Sequence, residues 1–235
     1  MSETPLTEEL DAMMWVHGEV RAGRALPVLE VDVIATSLFS ELRRATLTSL
    51  PRATLAGESE YLAAHAVNVT ILSMVLAEQV QLDEAAVRRV GVAALLHDIG
   101  MALLPDALIE KAGQFTTQER ELVKRHPADG ARLILAADGL LDLAAIVAYE
   151  HHLKTDASGY PALRYRRPTH YVSRLVQLCD IYHALRSPRP FRPAWPAEIV
   201  SSFLSERAGF EFHPVLVSAL TAMMRRYETR GEWAD

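Results

Sequence analysis

Residues 90–104 read VGVAALLHDIGMALL and place a histidine and an aspartate side by side in an otherwise apolar stretch. An ionised carboxylate in such surroundings costs several kcal/mol unless it is paired or bound to a metal ion. His97 and Asp98 therefore either satisfy a helix end or one another, or they are ligands of a metal. The residues before them predict a helix that opens at Asp83, runs to Asp98 and is stopped by Gly100.

Helical periodicity dominates the rest of the chain. Over 60–80, apolar residues recur three, four or seven positions apart, as one buried helix face requires. No segment alternates between apolar and polar residues as a strand does, so the sequence predicts an all-α fold. Further helices are predicted over 116–137, 140–152, 168–185, 197–208 and 214–227, with a polar, turn-rich loop over 154–168.

The first 57 residues carry an apolar pattern of their own and are too few for a confident independent domain. We predict that residues 1–57 form a helical N-terminal extension packed on a main domain over 58–235. The stretch from 50 to 57 is the expected junction.

The composition restricts the class of protein. Half of the 235 residues are hydrophobic, and the single cysteine, Cys179, lies in an apolar run that predicts a core position. One thiol excludes a disulfide scaffold and favours a reducing compartment. The net charge of −6 argues against binding DNA or RNA over a broad surface. The start MSETPLTEEL is acidic, whereas a signal peptide begins with basic residues. The most hydrophobic region, residues 90–109, contains charged residues and does not predict a membrane span. We therefore expect a cytoplasmic protein without membrane insertion.

Histidines and aspartates recur at intervals that suit a shared site. Successive groups are 25 to 32 residues apart, and about 28 residues of helix, loop and returning helix bring the chain back near its starting level. Each return can deliver a ligand to a common point inside a bundle. Imidazole and carboxylate suit Fe, Mn or Zn, so the set predicts a site for two metal ions. Its members are His65, His97, Asp98, His126, His151, His152 and Asp180.

The motifs around these residues resemble the HD superfamily of metal-dependent phosphohydrolases and, within it, the HD-GYP subfamily. LLHDIG at 95–100 carries the histidine–aspartate pair, and the tripeptide Gly-Tyr-Pro at 159–161 follows the paired histidines at the distance typical of the subfamily. The resemblance covers about residues 58–225 and keeps the motifs in family order. The other matching segments are YLAAHAVNV with His65, KRHPADGARLI with His126, LVQLCDIYHAL with Asp180 and RPFRPA from Arg189.

The resemblance implies an HD-domain helical bundle that hydrolyses the bacterial second messenger cyclic di-GMP to pGpG and/or GMP. It implies that all seven side chains are metal ligands, with Asp98 bridging two ions and His97 beside it at the catalytic centre. Two such ions, most often Fe or Mn, can lower the pKa of a bridging water and orient an in-line displacement. It also implies contact with diguanylate cyclase-type signalling proteins. The substrate-binding residues that it implies are Arg189, Arg192, Tyr160, Gly159 and Pro161.

Several residues depart from the family pattern. Met101 stands where the family usually has lysine, Leu153 where it has glutamate, and Ala157 where it has glycine. These changes leave the ligands complete but predict slow turnover, because neighbouring groups assist catalysis. They keep open a second hypothesis, a catalytically weak module that binds cyclic di-GMP or a signalling partner. Tyr61 stands four residues before His65, where some members carry the glutamate of a third metal, so two ions are expected.

Other residues allow more than one interpretation. His183 stands where the family often has aspartate, and either lies near the metals or is an ordinary helix residue. His17 lies in the extension, and His213 is expected at a helix start. Tyr160 either stacks on guanine or holds its loop closed. A third hypothesis, hydrolysis of another phosphorylated nucleotide, needs the same metals but neither the Gly-Tyr-Pro loop nor the two arginines.

Overall fold

The computed structural model describes residues 6–44, 53, 60–109, 111, 113–138, 141–156, 158–165, 167–188 and 192–228. Within these ranges the fold is all-α, as predicted, and β-structure is confined to isolated bridges. A 3₁₀ turn spans Ile99–Leu103. The helices are α1 Thr7–Arg21, α2 Val28–Arg44, α3 Tyr61–Gln79, α4 Glu84–Leu95, α5 Asp106–Ile109, α6 Thr117–Val123, α7 His126–Ala137, α8 Asp142–Glu150, α9 Tyr171–Arg186, α10 Ala197–Glu206 and α11 Pro214–Glu228.

The central element of the core is α3. Residues 63–77 of this helix are all buried, and it packs against α1, α4, α9 and α11. A helix that is apolar all round belongs in a protein interior or in a membrane. By length and composition α3 could span a bilayer, but 83% of its most apolar stretch is buried inside the fold.

The two N-terminal helices share this core. α1 packs against α3 and the 3₁₀ turn, and α2 packs against α3 and α4. The guanidinium of Arg21 donates to the carbonyl of Ala102 at 3.5 Å and pairs with the carboxylate of Asp106 at 2.7 Å. The helices α1 and α2 therefore pack on the rest of the fold. The division of the chain into an extension over 1–57 and a main domain over 58–235 stays a prediction, because its boundary at residue 57 lies outside the described residues.

The single helix predicted over 116–137 is two helices, because Pro127 interrupts it. Thr116 caps α6, which ends at Val123. Proline has no N–H to donate, and in a continuous helix its ring would clash with the carbonyl of Val123, four residues earlier. The chain therefore starts a new helix at His126, with proline in the first turn. The carbonyl of Val123 is left for a side-chain donor.

We expect His17 on α1 to make the fold less stable in acid. Burial, helped by the charge of Arg21, lowers the pKa of His17 to about 4. The unfolded chain takes up this proton near pH 6.5 and the folded chain does so only near pH 4, so stability falls as the pH drops through that window. Between pH 7 and pH 5 this contributes about 2 kcal/mol to the loss. His17→Gln should show a smaller loss in denaturant unfolding at the two pH values. An equal loss in both proteins would contradict the assignment.

Candidate metal centre

The side chains predicted as metal ligands meet in one place. They come from α3, the end of α4, the start of α7, the end of α8 and the middle of α9. Ligand atoms lie within 4.8 Å of one another in two groups that share Asp98. Asp180 adjoins the second group, because its Oδ1 lies 3.0 Å from Nε2 of His65. The groups are Asp98, His126, His151 and His152, and His65, His97 and Asp98.

Asp98 lies between the two groups, and its two oxygens face different histidines. Oδ1 lies 3.1 Å from Nε2 of His126 and 3.3 Å from Nε2 of His151. Oδ2 lies 3.5 Å from Nε2 of His97 and 4.0 Å from Nε2 of His65. A carboxylate that offers one oxygen to each group has the arrangement of a bridging ligand.

Helix ends orient three of the histidines. Nδ1 of His97 lies 2.7 Å from the carbonyl oxygen three residues earlier, and Nδ1 of His126 makes the same contact at 2.7 Å. Nδ1 of His151 lies 2.9 Å from the carbonyl three residues before it. The last carbonyls of a helix lack the N–H donors of a following turn, and they accept these imidazole N–H groups, which the carbonyl of Ala94 does beside the backbone N–H of His97 at 3.3 Å. The proton is thereby held on Nδ1, and Nε2 is left to face Asp98 as a ligand atom.

The electrostatics of the site favour cations. Burial alone would raise the pKa of the Asp98 carboxyl, but the charges of His97 and His126 and the hydrogen bonds from His126 and His151 outweigh it and hold the pKa well below its usual range. Burial is likewise outweighed at Asp180, where the hydrogen bond and charge of His65 lower the pKa. The C-terminal ends of α4 and α8 add partial negative charge at the same point, while the end of α6 and the start of α7 bring opposite partial charges there. Two carboxylates stay ionised where two helix dipoles also attract positive charge.

The imidazoles and carboxylates of the site fit a divalent metal ion, and a buried nitrogen of His97 without a hydrogen-bond partner in the described part of the chain supports this fit. Nε2 of His97 is fully buried and has no hydrogen-bond partner among the described residues, although an unpartnered buried polar atom is costly. Burial lowers the pKa of His97, which favours the neutral form that metal binding needs. Imidazole nitrogen and carboxylate oxygen are ligands of Fe, Mn and Zn. A cation between the imidazoles and Asp98 would satisfy this atom.

The Gly-Tyr-Pro loop packs against the paired histidines. The ring of Tyr160 lies 4.4 Å from the ring of His152 and 6.2 Å from that of His126. Gly159 has a positive φ of 99°, and a Cβ there would overlap the carbonyl oxygen of His152. Pro161 follows through a cis peptide bond. The loop therefore forms one wall of the site, and the ring of Tyr160 packs at a tilt of 31° against a predicted ligand, His152.

The structure describes one of the two arginines that are predicted to bind substrate. Arg189 lies outside the described residues. The guanidinium of Arg192 donates to the carbonyls of Ala184 at 2.7 Å and Leu185 at 3.1 Å, and it lies 5.6 Å from the centre of the Trp195 ring. These contacts cap the C-terminal end of α9, and binding of substrate by either arginine stays a prediction.

The departures from the family pattern lie around this site. Leu153, in the place of a glutamate, is 1% exposed, and its carbonyl accepts the side-chain N–H of Gln177 at 2.9 Å. Met101 lies half-buried in the 3₁₀ turn after Asp98. Tyr61 stacks on His65 with ring centres 5.7 Å apart. Ala157 lies outside the described residues.

A buried glutamate that sequence reasoning missed connects two ligand-bearing helices. Oε2 of Glu150 accepts the backbone N–H of His170 at 2.7 Å and the hydroxyl of Ser173 at 2.9 Å, and the carboxylate also pairs with Arg167. Glu150 directly precedes the paired histidines at the end of α8, while its partners stand at the start of α9. Its signal in the sequence is a charged residue that ends the apolar stretch before those histidines.

Comparison with known proteins agrees with this geometry. The family model described as HD domain matches residues 49–209. The chain is 31% identical over 216 residues to a cyclic di-GMP phosphodiesterase of Pseudomonas aeruginosa, covering 92% of this chain and 52% of the relative. It is 32% identical over 201 residues to the cyclic di-GMP phosphodiesterase response regulator RpfG of Xanthomonas campestris pv. campestris, covering 84% of this chain and 52% of the relative. The chain thus spans about half the length of these relatives.

The fold also has a solved counterpart. Bd1817, a HDG"Y"P protein from Bdellovibrio bacteriovorus, superposes with a TM-score of 0.69 at 16% sequence identity, covering 94% of this chain and 70% of that one. At this identity the likeness concerns the fold. Because the family model covers more than half of the 235 residues, and because the helical fold and its motifs agree with it, the chain belongs to the HD domain family and carries the motif set of the HD-GYP subfamily.

Proposed function

We propose that the protein is a metal-dependent phosphodiesterase that hydrolyses cyclic di-GMP to pGpG and/or GMP. The observation that carries this proposal is the pair of ligand groups that share Asp98. The names of the two curated relatives support the choice of substrate. The single buried, free cysteine supports a cytoplasmic location, and diguanylate cyclase-type proteins are the partners we expect from the resemblance.

We propose two metal ions, Fe or Mn, one in each ligand group. His126, His151 and His152 would hold one ion, His65, His97 and Asp180 would hold the other, and Asp98 would contact both. When bound, the two ions lower the pKa of a water molecule and neutralise charge on the phosphoryl oxygens. The stacking of Tyr61 on His65, where some family members have a glutamate, supports two ions rather than three.

The reaction consumes one water for each phosphodiester bond. The water oxygen adds to phosphorus, the bond from phosphorus to the 3′ oxygen breaks, and a proton from the water ends on that 3′ oxygen. Asp98 stays ionised and holds the surrounding imidazoles in place. Burial raises the pKa of the Cys179 thiol to about 12, which excludes this cysteine as a nucleophile at neutral pH. Tyr160 and His152 line the wall on which a guanine base can stack.

The test is product chromatography and metal analysis on one anaerobically purified sample, loaded with Mn²⁺ or Fe²⁺. We expect two ions per chain and release of pGpG or GMP from cyclic di-GMP. Cyclic dinucleotides with other bases, in parallel, separate this activity from hydrolysis of a different nucleotide. Binding of cyclic di-GMP without any product would overturn the proposal and would favour the catalytically weak module that Met101 and Leu153 suggest.

We expect Gly159→Ala to reduce turnover of cyclic di-GMP by about 100-fold, because a displacement of about 1 Å at an active site can have that effect. The new Cβ would meet the carbonyl oxygen of His152 and force the loop outward with Tyr160. Gly209→Ala is the matched control: Gly209 has a similar positive φ of 95°, but a Cβ there meets nothing within 4 Å. Steady-state kinetics of both variants measure the difference. Equal effects would mean that only the backbone conformation matters.

A further inference from the structure

His65 is oriented differently from the three histidines at helix ends. It lies inside α3, where the neighbouring carbonyls accept backbone N–H groups of the same helix. Its Nδ1 instead lies 2.8 Å from Nδ1 of His183 on α9. The two residues are 118 positions apart, and both are buried, at 3% and 7% exposed. The imidazole of His183 therefore takes the place that a backbone carbonyl has beside His97, His126 and His151.

Counting the N–H protons of the two imidazole rings shows which nitrogen is the donor in this contact. Two ring nitrogens at hydrogen-bond distance need one proton between them. Nε2 of His65 faces Asp180 Oδ1 at 3.0 Å and the ligand cluster beyond it, so a metal-binding His65 keeps its proton on Nδ1. Nδ1 of His183 is then the acceptor, and the proton of His183 is on Nε2. That nitrogen lies 3.3 Å from the hydroxyl of Ser187, the C-cap of α9.

We propose that His183 is a positioning residue that fixes the tautomer and the ring orientation of His65 for metal binding. His65, His183 and Ser187 form a chain of hydrogen bonds that ends at the C-terminal cap of α9. The same helix carries Asp180, one turn before His183, so α9 supplies both a ligand and the group that orients the ligand opposite. This inference rests on the metal site of the proposed function and assigns His183 a role outside the ligand set.

The test is titration of Mn²⁺ into chelator-treated protein by calorimetry, with two substitutions that differ in one acceptor. His183→Leu removes the acceptor and should weaken binding of one ion by about 10- to 100-fold, the usual effect of losing a partner of a metal-ligating histidine. His183→Asn offers an amide oxygen near the position of Nδ1 and should stay within a few-fold of wild type. The ion held by His126, His151 and His152 should be unaffected in both variants.

A second readout separates positioning from packing. Imidazole ¹⁵N spectra of the protein loaded with Zn²⁺, a diamagnetic ion, should show the Nδ1–H proton of His65 hydrogen-bonded and slow to exchange in wild type and in His183→Asn, and fast to exchange in His183→Leu. Circular dichroism and denaturant unfolding check that each variant is folded.

The inference would be overturned by tight binding of both ions by His183→Leu, or by equal weakening by both substitutions. Absence of any Mn²⁺ binding by wild type would overturn it as well. Metal binding without hydrolysis of cyclic di-GMP would instead reject the proposed function and leave the role of His183 intact.

Discussion

Replacing Asp98 with asparagine should lower hydrolysis of cyclic di-GMP by at least about 1,000-fold, the effect of losing several kcal/mol of transition-state stabilisation. It should also reduce the number of bound metal ions below two. Asp98 is the residue shared by both ligand groups, with Oδ1 facing His126 and Oδ2 facing His97. Asparagine keeps the shape of the side chain but removes the negative charge and one of the two acceptor oxygens. Metal analysis and product chromatography on the same sample measure both effects.

Asp142→Asn is the matched control for this substitution. Asp142 is an exposed aspartate in the first turn of α8, the helix that ends at the paired histidines. The change is chemically identical, so the control should keep two ions and the wild-type rate. An Asp98→Asn protein that retained both ions and full activity would show that another group bridges the metals.

Gly100→Ala should destabilise the fold by about 3 kcal/mol, the upper end of the usual cost of overpacking. A Cβ on Gly100 would overlap the carbonyl oxygen of His126 and lie 2.8 Å from the backbone nitrogen of Gly130. Both obstacles are backbone atoms of α7, so no side-chain rotation relieves the overlap. The 3₁₀ turn would move away from α7, and Asp98 would separate from His126. Denaturant unfolding and Mn²⁺ titration should therefore both show a loss.

Gly18→Ala is the matched control, because the same substitution should here raise the stability of the fold. Gly18 lies inside α1, and a Cβ there meets nothing within 4 Å. Alanine is favoured over glycine in a helix by about 0.5–1 kcal/mol, so this variant should be slightly more stable. If Gly100→Ala were as stable as wild type, the close approach of the 3₁₀ turn to α7 would not exist in solution.

The helices could be predicted because their signals are local. Periodicity located α3 and α8 to within three residues at each end, and Asp83 is the N-cap expected for α4, accepting the N–H of Ala86 at 2.7 Å. The break between α6 and α7 also has a local signal, Pro127, which the interpretation of 116–137 as one helix overlooked. Proline in a first turn and proline inside a helix look alike in a periodic pattern.

The convergence of the ligands could be predicted from spacing and motif, while their orientation could not. The seven side chains belong to five elements that return to one level of the bundle, as the intervals indicated. Which nitrogen of each histidine faces the site depends on contacts across the fold. The contact between His65 and His183 joins α3 to α9. The sequence pattern does not indicate a hydrogen bond between side chains that are 118 positions apart. Glu150 was missed for the same reason, since its partners, Arg167, His170 and Ser173, lie 17 to 23 residues further along the chain, around the start of α9.

The way in which the histidines are held determines how this site can decay. The carbonyls that orient His97, His126 and His151 belong to the main chain, so no single side-chain replacement can delete them. The orientation of His65 depends instead on the side chain of His183, which a single substitution can remove. With the two ions proposed for this site, a descendant of this protein that accumulates random substitutions should lose the ion beside α3 and α9 before it loses the other.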